Sequence, residues 1–151
     1  MSRITSKLRR RQLDDAANKL KDAELPPRGY IHEVREALEM SSYDLAERMG
    51  VAQSTVMDLE EGERNGSITL RSLDRAAKAL GCKLVYAFVP EKSLQQIVED
   101  QARNRALELS KSVFRTMALE QQSTDPRYRD DLIEELAADI LRKGKRELWK
   151  K

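Results

Sequence analysis

Gln53, Ser54 and Thr55 are three consecutive side chains that can each donate and accept hydrogen bonds without carrying charge. On the exposed first turn of a helix, such residues suit the edges of nucleic-acid bases. A glutamine amide can grip adenine at N6 and N7, and a Ser or Thr hydroxyl can serve several bases. The dipole of a helix N-terminus also favours a nearby phosphate. Other chemistry is poorly provided for. One cysteine, Cys82, and one histidine, His32, allow neither an internal disulfide nor a Cys-based metal site, so both are expected to serve packing or surface. There is no phosphate-binding loop, no metal-ligand set and no nucleophile beside a base, so no catalysis, cofactor or metal is expected. The adjacent acids Glu60-Glu61 and Glu134-Glu135 point in different directions on a helix and read as solvated faces or ion-pair partners.

The elements that must position Gln53 to Thr55 can be read from local signals. "YIHEVREAL" places Ile31, Val34 and Leu38 on one helical face. "SSYDLAERMG" opens with Ser41 as N-cap, has Asp44 as a short-armed capping-box partner, and closes at Gly50. "GVAQSTVMDLEEG" follows as a second helix ending at Gly62, then a polar loop "ERNGS". "TLRSLDRAAKALG" starts at Thr69 and stops at Gly81. Helix, short glycine turn, helix is the outline of a helix-turn-helix, in which the second helix enters the major groove. Many helical hairpins share that outline without touching DNA. Here Val51, Val56 and Leu59 would face the core with Leu45, Ala46 and Met49, leaving Gln53, Ser54 and Thr55 outward.

The chain has 151 residues, 36% of them charged and 5% aromatic, which favours a mainly helical protein. No apolar run is long enough for a membrane span, and the amino terminus has basic residues but not the apolar core of a signal peptide, so a cytoplasmic location without membrane contact is expected. Charge is uneven: residues 1–30 hold eight Lys/Arg against four Asp/Glu, whereas residues 31–80 hold six against ten. A basic arm, "KLRRR" from Lys7 to Arg11, lies on a helix expected over 4–22 and ended by "LPPRG". It reads equally as a solvated face or as a contact to the DNA backbone or minor groove.

"CKLVYAFVP", Cys82 to Pro90, breaks the helical pattern. Seven of the eight residues before the proline are apolar or aromatic, so it reads as a strand. No other segment can pair with it, and unpaired backbone groups are costly when buried. Pairing of Leu84, Val85, Tyr86, Ala87 and Phe88 with the same strand of a second subunit would satisfy them, which predicts a homodimer. Beyond it, a long helix is expected over 93–122 with Leu94, Val98, Ala102, Leu109, Val113 and Met117 as an apolar stripe. A further helix with Leu132, Leu136 and Ile140 on one face ends at Gly144, and a basic tail presents Leu148 and Trp149.

Gly29 to Gly81 resembles the λ-repressor-type (XRE) helix-turn-helix family, and "DLAERMGVAQSTVMDLEEG" carries the resemblance. Leu45-Ala46, Gly50-Val51, Gln53, Val56, Leu59, Glu60 and Gly62 stand where the family pattern expects them. The resemblance implies a structural ion pair between Arg35 and Glu60. It implies phosphate contacts by Ser42, Arg64 and Asn65, and base contacts by Gln53, Ser54 and Thr55 on an inverted-repeat operator in double-stranded DNA. Ala52 departs from the Ser or Thr usual before the recognition helix, and the acids Asp58, Glu61 and Glu63 stand close to the expected DNA face.

"PPRG", "GSITLRSL", "CKLVYAFVPEKSL" and "RTMALEQQ" together are similar to a narrower group, the "mobile mystery protein A" proteins. That likeness implies an antitoxin-like or autoregulatory DNA-binding protein beside a Fic-domain partner protein. The short motif by which small antitoxins block Fic enzymes directly is absent, since Met57 stands where Ser or Thr would precede Glu61-Gly62.

The expected architecture is therefore mainly α: a helical arm over 1–28, a helix-turn-helix domain over 29–81, a dimerisation strand over 82–90 and a helical region over 91–151. RNA binding is disfavoured, because Tyr30, Tyr43, Tyr86 and Phe88 are expected in core or dimer contacts. The rival function is a protein-interaction module with weak or no specific DNA binding. The helices over 93–151 either finish the dimer core or hold a partner through Leu148 and Trp149.

Overall fold

The computed structural model describes residues 3–119 and 125–150. These residues form eight helices: α1 (Arg3–Asn18), α2 (Tyr30–Ala37), α3 (Ser42–Met49), α4 (Gln53–Asn65), α5 (Leu70–Ala79), α6 (Leu94–Leu119), α7 (Pro126–Lys143) and α8 (Lys145–Leu148). They fall into two compact units, one spanning residues 22–87 and the other residues 3–21 with 88–150.

The unit over 22–87 is built from α2 to α5. Its core is Ile31, Leu45, Ala46, Val56, Ala76 and Leu80, flanked by Val34, Met49, Val51, Leu59, Ile68 and Leu73. The expected inward set of α3 and α4 is thus packed together. Leu38 lies outside it, half exposed at the C-cap of α2. Ser41 caps α3 in a reciprocal box with Asp44, and Gly50 closes α3 in the left-handed conformation. Thr69 caps α5 by accepting from the Ser72 N–H at 3.1 Å.

α4 does not stop at Gly62. It runs to Asn65 and is closed by Gly66, so Gly62 is a buried residue inside the helix. The backbone N–H groups of Ser67 and Ile68 both donate to the Gly62 carbonyl, at 2.9 and 3.1 Å. A Cβ on Gly62 would lie 3.4 Å from Ser67 Oγ and 3.5 Å from Ile68 Cβ. This glycine marks where the chain folds back over its own helix, at a cost of about 1 kcal/mol in helix propensity.

In the other unit, α6 and α7 pack through small residues. Ala102, Ala106, Ile133, Ala137, Ile140 and Leu148 are buried, with Val98, Phe114, Leu136 and Leu141 around them. The expected α6 stripe is corrected here. The contact line advances by four, through Ala102, Ala106 and the buried Ser110, whereas Leu109 and Val113 are about 40% exposed. Small side chains let the helix axes approach, so bulk alone does not mark the inner face. Positions 120–122 of the expected long helix, and with them the end of "RTMALEQQ", lie outside the described residues. Leu148 is buried rather than presented to solvent, while Trp149 is exposed. α1 ends at Asn18, short of the expected 22, in a turn where Leu20 N–H donates to Ala17 O. The Asp14 carboxylate accepts from the Leu94 N–H at the start of α6 at 3.1 Å.

The expected strand does not form. Residues 82–90 have no regular secondary structure, and no strand occurs among the described residues. A strand exists by its ladder, and the described chain offers Leu84 to Phe88 no ladder partner. Val85 and Tyr86 are each 67% exposed and Phe88 is 94% exposed. Tyr30 and Tyr43, also expected in contacts, are exposed as well.

Candidate nucleic-acid interface

The face begins with two helix N-termini, those of α3 and α4. The Ser41 hydroxyl accepts from the Asp44 N–H at 3.1 Å, and the Asp44 carboxylate accepts from the Ser41 N–H at 2.8 Å. Hydrogen bonds from the Ser41 hydroxyl and backbone hold the Asp44 carboxyl below its ordinary range. This box fixes the first turn of α3 and with it Ser42. Gly50, Val51 and Ala52 then connect α3 to α4, with the Val51 N–H donating to Ala46 O at 3.0 Å. Ala52, the N-cap of α4, makes no side-chain cap bond.

Across that turn Gln53 Nε2 donates to Ser42 Oγ at 2.7 Å. The bond ties an expected base-contacting residue to an expected phosphate-contacting one, on two different helices. Gln53 and Ser54 are exposed and Thr55 is half-buried. Arg64 and Asn65 stand apart from this pair. Both are exposed residues of the last turn of α4 rather than of a loop. At 1.5 Å per residue they lie roughly 17 Å along the axis from Gln53. Asn65 also has a local task, its Oδ1 accepting from the Ser67 N–H at 3.0 Å.

The angle of α4 is set from behind by Arg35, which is only 6% exposed. Its Nε donates to Glu60 Oε1 at 2.7 Å, and its Nη1 donates to the Met40 carbonyl at 2.7 Å and to Glu36 Oε1 at 2.6 Å. One guanidinium thus joins α2, the turn before α3, and α4. Its hydrogen bond to Glu60 raises the Arg35 pKa despite burial. Burial pushes the Glu60 carboxyl up, but hydrogen bonds from Arg35 and His32, with their charges, outweigh it and hold Glu60 below its ordinary range.

His32 joins the same network, with Nδ1 3.0 Å from Glu60 Oε2 and Nε2 3.1 Å from Arg28 Nη1. A guanidinium can only donate and a carboxylate can only accept, so Nε2 faces a donor in Arg28, and Nδ1 lies between the Glu60 acceptor and the Arg35 Nη2 donor at 3.2 Å. Among the described residues no group of three or more His, Cys, Asp or Glu is placed to hold a metal ion, and no helix is long and apolar enough to cross a membrane.

Glu63 has a role that its position in the sequence hides. Its carboxylate accepts from the backbone N–H groups of Tyr30, at 2.8 Å, and Ile31, at 2.9 Å. Gly29, the N-cap of α2, has no side chain to do this, and Glu63 supplies the cap from another helix. A Cβ on Gly29 would meet Glu63 Oε2 at 2.8 Å, and the glycine sits at φ +85°. The signal available in the sequence is the phase: Val56, Glu60 and Glu63 are spaced four and three apart, so both acids share the inward side of α4.

A capped helix, a tight turn closed by a left-handed glycine, and a second helix with an exposed uncharged first turn define a helix-turn-helix unit. The family model described as Helix-turn-helix matches residues 31–86 of the chain, an interval that contains α3, the turn and α4. No curated protein and no solved structure matches the chain.

Proposed function

We propose that the protein is a sequence-specific DNA-binding transcriptional regulator of the λ-repressor (XRE) type, working as an autoregulatory repressor in an antitoxin-like two-gene module. The observation that carries this reading is the exposed, uncharged start of α4, where Gln53 is held against Ser42 at 2.7 Å. Gln53, Ser54 and Thr55 read base edges, while Ser42, Arg64 and Asn65 contact phosphates. The Arg35–Glu60 pair holds the reading helix in place and takes no part in contact with DNA. A homodimer joined through the exposed segment from Leu84 to Phe88 presents two such helices to an inverted repeat, with half-sites about 34 Å apart or a multiple of it. The Fic-domain partner rests on the resemblance of "PPRG", "GSITLRSL", "CKLVYAFVPEKSL" and "RTMALEQQ" alone.

A gel-shift titration on the DNA upstream of its own gene, against scrambled competitor at fixed salt, tests the reading. Wild type should shift its own DNA, and Gln53→Ala should lose about 1–3 kcal/mol of specific binding and relax one base position. An unchanged preference in that variant refutes the base-reading role of Gln53.

A second reading is a protein-interaction module that binds a Fic-type partner. The uncapped Ala52 and the exposed Asp58 and Glu61 on the same face favour it. Absence of any specific shift, with a stable complex on co-expression with the neighbouring gene product, would select it.

A further inference from the structure

α4 carries four acids, and they divide into two pairs. Glu60 and Glu63 turn inward and are both engaged, with Arg35 and His32 and with the start of α2. Asp58 and Glu61 are exposed. At about 100° per residue, Gln53, Ser54, Met57, Asp58 and Glu61 fall within one outward sector of roughly 140°. Met57 is 60% exposed in that sector. The face offered to a groove is therefore polar, apolar and acidic, with no cation until Arg64 in the last turn.

A carboxylate beside DNA is repelled by phosphates, so it gains only where a base offers it a proton. In the major groove those donors are the N4 amino group of cytosine and the N6 amino group of adenine. Adenine sets an N7 acceptor beside its donor, which suits an amide and repels the second carboxylate oxygen. Cytosine presents the donor alone, so it is the better match for Asp.

Position along the helix separates the two outward acids. A recognition helix lies in the major groove with its N-terminal residues on the base edges, and Asp58 lies about 7.5 Å along the axis from Gln53 against about 12 Å for Glu61. Asp58 therefore stays nearer the base-reading turn and Glu61 stands nearer the backbone. We infer that Asp58 is a specificity-determining residue that accepts a hydrogen bond from the N4 amino group of an operator cytosine, whereas Glu61 weakens binding without reading sequence. This rests on α4 being the DNA-reading helix.

The test is selection from a random-sequence duplex pool at fixed salt, using the full chain as wild type, Asp58→Asn, Asp58→Ala and Glu61→Gln. Thermal melts serve as the check that each exposed substitution leaves the fold intact. Wild type should enrich a half-site with a required cytosine at a position other than the one lost in Gln53→Ala. Asp58→Asn should move that position to adenine, and Asp58→Ala should make it tolerant, losing roughly 5- to 150-fold discrimination. Glu61→Gln should tighten binding to all sequences and keep the same preferred site. Enrichment of one unchanged site by wild type and both Asp58 variants overturns the assignment and leaves the DNA-reading helix standing. Failure of wild type to enrich any sequence overturns the reading of α4 itself, and the assignment with it.

Discussion

Replacing Arg35 by alanine removes three anchors at once. The Glu60 carboxylate, whose side chain is 13% exposed, keeps only His32, the Met40 carbonyl loses its 2.7 Å donor, and Glu36 loses its partner. Removing one member of a buried ion pair costs about 3–5 kcal/mol, mostly because the other charge is stranded. A domain has about 5–15 kcal/mol in all, and 1 kcal/mol shifts the midpoint of a 60–100-residue domain by roughly 4–8 °C. The unit over 22–87 should therefore melt at least about 12 °C earlier. Glu60→Ala should cost less, about 1–3 kcal/mol, because Arg35 retains the Met40 carbonyl and Glu36. The double variant should fall short of the summed losses by about 0.5–3 kcal/mol. Urea melts followed by circular dichroism give the energies, and hydrogen exchange at the amides of α2 and α4 locates the loss. Strict additivity, or an Arg35→Ala loss below about 1 kcal/mol, refutes the view that this guanidinium fixes α4.

Acidification should act on the same network. Glu60 and Asp44 are both held below their ordinary values of 4.5 and 3.8, so the folded chain releases these protons more readily than the unfolded one. Their contribution is complete above about pH 4.5 and is lost as pH falls through the lower folded values. Melting temperatures from pH 7 to pH 3 should drop below that point, and less steeply in Glu60→Gln. Glu63→Ala should destabilise by about 1–2 kcal/mol through loss of the cap on α2, read by chemical denaturation. Gly29→Ala should be destabilising too, since its Cβ would crowd Glu63 at 2.8 Å on a backbone at φ +85°; a neutral result contradicts the close approach. Phe88→Ser should shift the chain to monomer in sedimentation equilibrium, and an undiminished dimer removes the 84–88 segment from the proposed interface.

Both ends of α3 and the start of α5 were legible because each carries a local signal: Ser41 with Asp44, Gly50, Thr69. The inward residues Leu45, Ala46 and Val56 were legible from spacing. Gly62 misled because a glycine that ends a helix and one that admits a neighbour look the same until Ser67 and Ile68 are seen above it. Glu63 stands in the sequence among the acids near the expected DNA face, although its phase with Val56 points it inward. On α6 the larger side chains Leu109 and Val113 drew attention from Ala106 and Ser110, which make the seam. The apolar run from Leu84 to Phe88 fixes composition, but a ladder needs a partner that composition does not supply.

The 2.7 Å contact between Gln53 and Ser42 changes what each side chain has left to offer. The glutamine amide spends one of its two N–H groups on the serine oxygen and keeps the other, together with its carbonyl, which are the two groups a bidentate grip on adenine needs. Ser42, having accepted, still has its own hydrogen to give to a phosphate oxygen. Backbone and base would then be connected through two side chains in series, phosphate to serine to glutamine to adenine. A duplex whose strand runs slightly too far from α3 would pull this chain out of line even with the right base beneath it. The pair would act as a gauge of DNA shape as well as a reader of its letters.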